Sequence, residues 1–134
     1  MGKPAEINHV ASHLELDHSR PGFPVLDLVH LSRQTFGDHA LETEILTLFD
    51  SQAAHFSARL AEPRHPGDAG SRADLAHTLK GSSRAVGAFA VGAAAEAYED
   101  ALRAGDPDGA EFCAKLMAEI ESARAAIAAL FERA

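Results

Sequence analysis

Apolar residues recur at helical spacing along most of this sequence, and clusters of glycine, proline and aspartate separate one stretch from the next. Between residues 38 and 60, Leu41, Ile45, Leu48, Phe49, Phe56 and Leu60 fall on one stripe of a helix, with Gln52 among them as a partly buried polar residue. Asp38 is a suitable N-cap for that helix. A loop follows at residues 62–71, and Ser71 with Asp74 reads as a capping box opening a second helix that runs to Val86 and stops at Gly87. A third covers residues 90–104, with Val91, Ala94, Ala95, Tyr98 and Leu102 inward. Gly105, Asp106 and Pro107 then provide a stop, an N-cap and a first-turn proline for a last helix striped by Phe112, Leu116, Ile120, Ile127, Leu130 and Phe131. A short apolar segment, Val25, Leu26, Leu28, Val29 and Leu31, predicts one small helix ahead of these. No stretch alternates with period two, so the expected fold is all-α: an antiparallel four-helix bundle with a short additional N-terminal helix.

Composition narrows the class. A chain of 134 residues that is 46% hydrophobic has the size and apolar content of one domain with its own core. Residues 1–22 read as an N-terminal arm, in which Ile7, Val10 and Leu14 have helical spacing, and residues 23–134 as the bundle domain. The formal charge of −8 argues against a nucleic-acid partner, which requires a basic face. One cysteine, Cys113, cannot form an internal disulfide and is read as a packing residue, which fits a cytoplasmic location. There is neither an apolar leader in residues 1–20 nor a membrane-length apolar run. His9 and His13 could share a helix face and His18 lies nearby, but no cysteine or acid completes a metal set. His30, His39, His55 and His65 are read as surface residues.

The stretch "AHTLKGSSRAVGA", residues 76–88, gives up helix stability at Gly81, about 1 kcal/mol relative to alanine. On a wheel at about 100° per residue, Leu75, Leu79, Ser82 and Val86 form the expected buried face, with Ser83 just beyond. His77, Lys80, Gly81 and Arg84 form the opposite one. By position alone His77 is also an ordinary solvated histidine. Each neighbour gains a use if the ligand is a phosphoryl group. Neutral imidazole is a nucleophile near pH 7. Lys80, one turn on, brings a mobile positive charge to the phosphate. Gly81 leaves room for another protein's active site to approach. Arg84 can pair with phosphate oxygens or with an acidic group on a partner, or be a plain surface charge. Ser82 and Ser83 are small packing residues rather than nucleophiles.

"HTLKGSSRAVGA" resembles the signature of histidine-containing phosphotransfer (HPt) domains, carried on the second helix of their four-helix bundle. "FGDHALETEILTLF" resembles the family's first bundle helix and its cap. "AYEDALRAGD" resembles an alanine-x-x-leucine-glutamate element of the third, with Tyr98 where leucine is commoner. The resemblance spans roughly residues 24–134. It implies a phosphocarrier in a multistep phosphorelay, in which His77 takes a phosphoryl group from a receiver-domain aspartate and passes it to another response regulator. It implies further that Mg²⁺ sits on the partner receiver and that this chain binds no cofactor of its own. That agrees with the lack of a glycine-rich nucleotide loop and of a carboxylate cluster for a metal. A chain of this kind has no ATP site and is not an enzyme by itself.

Partners implied by the resemblance are receiver domains of hybrid histidine kinases and response regulators, docked on an apolar patch beside the histidine; the chain itself is expected to be a monomer. Leu46, about 100° from the centre of its helix's expected buried stripe, is a candidate docking contact, with the Val25–Leu31 segment beside it. These residues could equally fill the end of the bundle. The alternative function is a helical module that docks receivers without carrying phosphate.

Overall fold

The computed structural model describes residues 24–106 and 109–133. The N-terminal arm, with His9, His13 and His18, lies outside the described residues, as does Pro107. The described residues form five helices and no strand: α1 (Leu28–Thr35), α2 (His39–Ala61), α3 (Ala69–Val86), α4 (Phe89–Arg103) and α5 (Gly109–Arg133). Helices α2 to α5 pack in a ring, each against its two neighbours in sequence and α5 back against α2, while α1 crosses onto α2 and α3. The arrangement is the expected four-helix bundle with one short extra helix.

The helix boundaries follow from local chemistry. Asp27 caps α1 by accepting the His30 N–H at 3.0 Å, and Asp38 caps α2 by accepting the Leu41 N–H at 3.0 Å. The predicted Ser71–Asp74 capping box does not form. Helix α3 begins two residues earlier, behind Asp68, and the Ser71 hydroxyl donates to the Asp68 carbonyl at 3.0 Å. Gly87 ends α3 with φ of 88°, in the left-handed region. A Cβ there would also lie 2.7 Å from the Asp27 carbonyl oxygen. The Asp27 N–H donates to the Gly87 carbonyl at 2.9 Å, so this glycine both stops α3 and seats the start of α1.

The core is drawn from every helix. Leu31 of α1, Leu46, Phe49, Ala53, Phe56 and Leu60 of α2, and Leu116, Ile120, Ala123 and Ile127 of α5 are all buried. In α2 the buried stripe is rotated from the predicted one. Leu46 is 1% exposed, whereas Leu48 is 65% exposed and Leu41 also faces outward. In α3, Leu75 is exposed rather than buried, and the inward face is Arg72, Ala73, Ala76, Leu79, Ser83 and Val86. The cause lies in the α3–α4 pair, the most extensive helix contact of the fold. Ala73 and Ala76 on α3 and Ala95 on α4 have no exposed surface. Side chains this small bring the two backbones close and turn the larger Leu75 outward.

A buried polar contact accounts for Tyr98, the departure from leucine on α4. Arg72, 1% exposed, donates to the Tyr98 hydroxyl at 3.3 Å and to the Glu62 carbonyl at 2.8 Å, and stands 3.4 Å from the Asp68 carboxylate. A buried guanidinium needs such partners. Here they fasten the α2–α3 loop to α4. Gln52 is half-buried as expected. Cys113 is half-buried against the core. His30 is not a free surface residue, because its ring packs edge-on against Phe89 with centroids 5.1 Å apart.

Candidate functional site

His77 stands midway along α3 with its side chain 62% exposed. Its Nδ1 lies 3.1 and 3.2 Å from the two carboxylate oxygens of Glu99 on α4. A carboxylate only accepts, so the bond requires the proton on Nδ1, and the lone pair of the neutral ring is then on Nε2. Glu99 is 8% exposed at its side chain and gathers two further donors. Lys80 Nζ lies 3.4 Å from Oε1, and Arg103 Nε donates to Oε2 at 3.0 Å. Arg103 reaches back to α3 as well, donating to Asp74 Oδ1 at 3.0 Å. Five side chains, Asp74, His77 and Lys80 from α3 and Glu99 and Arg103 from α4, thus form one charged cluster across the tightest seam of the bundle.

Burial pushes the Glu99 carboxyl up. The hydrogen bonds from Arg103, His77 and Lys80 outweigh that and hold it below the usual glutamate range. The carboxylate therefore stays ionised at neutral pH, and the imidazole faces a fixed negative charge on one side and solvent on the other.

The sequence-predicted residues fall into three groups. His77, Lys80 and Gly81 come together on one outward face. Lys80 is less free than a mobile surface charge, since its side chain is only 18% exposed and tied to Glu99. A Cβ on Gly81 would have no neighbour within 4 Å among the described residues, so none of them requires glycine there. Arg84 sits in the same seam, paired with Glu96 at 3.1 Å and 46% exposed, and its stem runs where a Cβ on Gly92 would stand 3.2 Å away. Leu46 does not join the site. It is part of the core, and the expectation of a surface contact there is corrected: the buried stripe of α2 includes position 46 and excludes position 48. A shallow groove between α2 and α3 is lined instead by Ile45, Leu48, Gln52, Ser82 and Ala85. The hydroxyls of Ser82 and Ser83 donate to the carbonyls one turn back, at 3.1 and 2.6 Å.

Of the other three, Asp74 is expected from sequence only as a capping-box partner and Glu99 only as the glutamate of the quoted element on α4, and Arg103 carries no expectation. The signal within reach was the Glu99–Arg103 spacing of four residues, which marks an ion pair on one helix face. Their meeting with His77 depends on the register of α3 against α4. Among the described residues no group of three or more histidine, cysteine, aspartate or glutamate side chains is placed to hold a metal ion, and no helix is long and apolar enough to cross a membrane.

The small helical bundle thus presents an exposed histidine, backed by a carboxylate and flanked by a lysine and a bare glycine. The family model described as "Hpt domain" matches residues 44–130, well over half the chain, and the protein belongs to that family. Comparison with curated proteins and with solved structures gives no significant match. Hpt domains act in two-component signalling, where they interact with receiver domains.

Proposed function

We propose that this protein is an intermediate of a multistep phosphorelay and that His77 carries the phosphoryl group. In the forward step His77 Nε2 attacks the phosphorus of an aspartyl phosphate on a receiver domain. The Nε2–P bond forms, the acyl-phosphate P–O bond breaks, and the aspartate leaves as a carboxylate. Passing the group to a second receiver is the reverse step. Mg²⁺ is supplied by the receiver, and this chain contributes a positioned nucleophile and a docking face. The observation that carries the reading is the Nδ1–Glu99 bond on a solvent-facing ring, which commits the lone pair to Nε2. Phosphoryl transfer depends mainly on positioning and charge neutralisation. Lys80 supplies the second of these when it turns from Glu99 toward the phosphate.

Gly81 gives the receiver's active site clearance over the backbone. Leu48 and the α2–α3 groove offer an apolar contact beside the histidine, and Arg84 on the rim offers a charge to an acidic partner group. The test is incubation with a phosphorylated receiver domain and Mg²⁺. Label that is acid-labile and alkali-stable is expected on the chain and lost in His77→Gln. Label persisting in that variant would move the chemistry elsewhere. Tight binding without any label would identify a docking module that carries no phosphate.

A further inference from the structure

The two glycines inside α3 and α4 serve different ends. A Cβ on Gly81 meets none of the described residues, whereas Gly92 on α4 is buried and the place of its Cβ is taken by a neighbour. A Cβ there would lie 3.2 Å from Arg84 Cγ, and 3.6 Å from both Arg84 Nε and the Lys80 carbonyl oxygen. The two longer distances are ordinary contacts, so the one side chain that would have to give way is Arg84. Arg84 continues over α4 to Glu96, one turn on from Gly92, with Nη2 at 3.1 and 3.4 Å from the two carboxylate oxygens. Both partners are nearly half exposed. A pair this exposed returns about as little stability as a glycine inside a helix costs, so the arrangement gains the fold nothing.

What it achieves is a guanidinium held in place with donors to spare. Glu96 engages Nη2 alone, and Nη1 and Nε make no hydrogen bond among the described residues. Arg84 follows His77 by two turns on the same face, about 10 Å along the axis. A group that far off meets the rim of a domain seated over the histidine rather than the transferred phosphoryl group. The groove with Leu48 borders α3 on the opposite side, so His77 stands between an apolar contact and a charged one. The cations of the α3–α4 seam, Lys80, Arg84 and Arg103, are matched by its carboxylates, Asp74, Glu96 and Glu99, while the whole chain carries a formal charge of −8. An acidic partner surface is therefore repelled less at this seam than over the rest of the chain.

We propose that Arg84, seated over Gly92 and steadied by Glu96, selects among receivers: the nitrogens that Glu96 leaves free donate to a carboxylate on the receiver's docking rim, outside the receiver's own active site. The inference rests on His77 being the phosphorylated residue and adds the chemistry of the partner surface to that reading. Guanidinium-to-carboxylate bonds are charge-assisted and directional. A charge on the rim of an interface acts mainly on the rate of encounter and fades as salt screens it. Arg84 therefore governs which receiver binds and leaves the transfer step itself alone.

The test follows phosphotransfer to the full chain from isolated receiver domains phosphorylated with acetyl phosphate, over a range of receiver concentrations. Arg84→Ala is expected to raise the half-saturating concentration about fivefold at low salt with the maximal rate unchanged. The difference is expected to vanish near 1 M salt, where the Debye length is about 3 Å. Across a set of receivers, the effect should be largest for those with an acidic rim. Gly92→Ala keeps both charges but unseats the arginine, so a smaller rise with the same salt dependence is expected. Added to Arg84→Ala it should change nothing further, a non-additivity that a merely structural role for Gly92 does not produce. Arg84→Lys, which keeps the charge without the planar guanidinium, is expected to fall between wild type and Arg84→Ala, and decides the matter if Gly92→Ala does not fold. Equal half-saturating concentrations for wild type and Arg84→Ala, a difference that ignores salt, or one that is uniform across receivers would overturn the inference and leave the phosphocarrier reading intact. A wild-type chain that takes no label at any receiver concentration would overturn that reading itself.

Discussion

Leu46 and Leu48 stand two residues apart on α2 and should respond to alanine in opposite ways. Leu46 is 1% exposed within the core that joins α2 to α5. Truncating it removes buried apolar surface and leaves a cavity that a ring of packed helices closes only partly. Leucine-to-alanine changes at such sites cost about 2–5 kcal/mol. At this chain length each kcal/mol lowers Tm by roughly 3–5 °C, so a fall of roughly 6–25 °C is expected for Leu46→Ala. Leu48 is 65% exposed, and Leu48→Ala should stay within about 0.5 kcal/mol of wild type. If the α2–α3 groove docks the receiver, the same change should weaken receiver binding about fivefold or more. Thermal unfolding followed by circular dichroism gives the first quantity. The receiver-concentration dependence of phosphotransfer, measured below both melting points, gives the second. Leu46→Ala should transfer normally there. A Leu48→Ala protein that melts as early as Leu46→Ala, or a stable Leu46→Ala protein that no longer binds the receiver, would refute the assignment of the two faces.

Two further outcomes follow from the site. Gly81→Leu should stabilise α3 by up to about 0.8 kcal/mol, because glycine is the poorer helix former and a Cβ at that position meets none of the described residues; phosphotransfer from a receiver should nonetheless slow, and an unchanged rate would remove the clearance argument. The Glu99 carboxyl is held below its ordinary range in the folded chain, by hydrogen bonds that outweigh burial. Its contribution to stability is therefore complete above the unfolded glutamate pKa of about 4.3 and is lost as pH falls through the lower folded value. Glu99→Gln should flatten that acid limb in urea titrations, and an equally steep limb would show that the cluster does not depend on this charge.

The fold was legible because its signals are local. The Asp38 cap, the Gly87 stop and the apolar stripes each act within a few turns, and each helix they predict is present. The errors share one cause. Placing Leu46 outward and Leu75 inward treated each helix as a cylinder with its own best apolar face. In the bundle, the faces are set by the neighbours. Alanines on α3 and α4 draw those helices together and rotate α3, and a buried arginine takes a core position because Tyr98, Glu62 and Asp68 converge on it. Neither effect leaves a trace in the periodicity of a single helix. The capping box failed for a related reason: Asp68 already holds the His65 N–H at 3.0 Å and pairs with Arg72, so the loop is fastened before Ser71 is reached.

The candidate site divides along the same line. His77, Lys80 and Gly81 are neighbours on one helix, so their spacing was enough to bring them to one face. Glu99 lies a whole helix away, and only the close α3–α4 seam brings its carboxylate under the imidazole. The small residues of the α3–α4 seam therefore also shape the site. Were Ala73, Ala76 and Ala95 larger, α4 would stand further off and the bonds that gather His77, Lys80 and Arg103 on Glu99 would lengthen beyond hydrogen-bond range. On the proposed reading the nucleophile belongs to the motif, but the tautomer that would make Nε2 its reacting atom belongs to the packing. A substitution in the alanine seam should therefore lower phosphotransfer without touching any residue of the signature, in proportion to how far it parts His77 from Glu99.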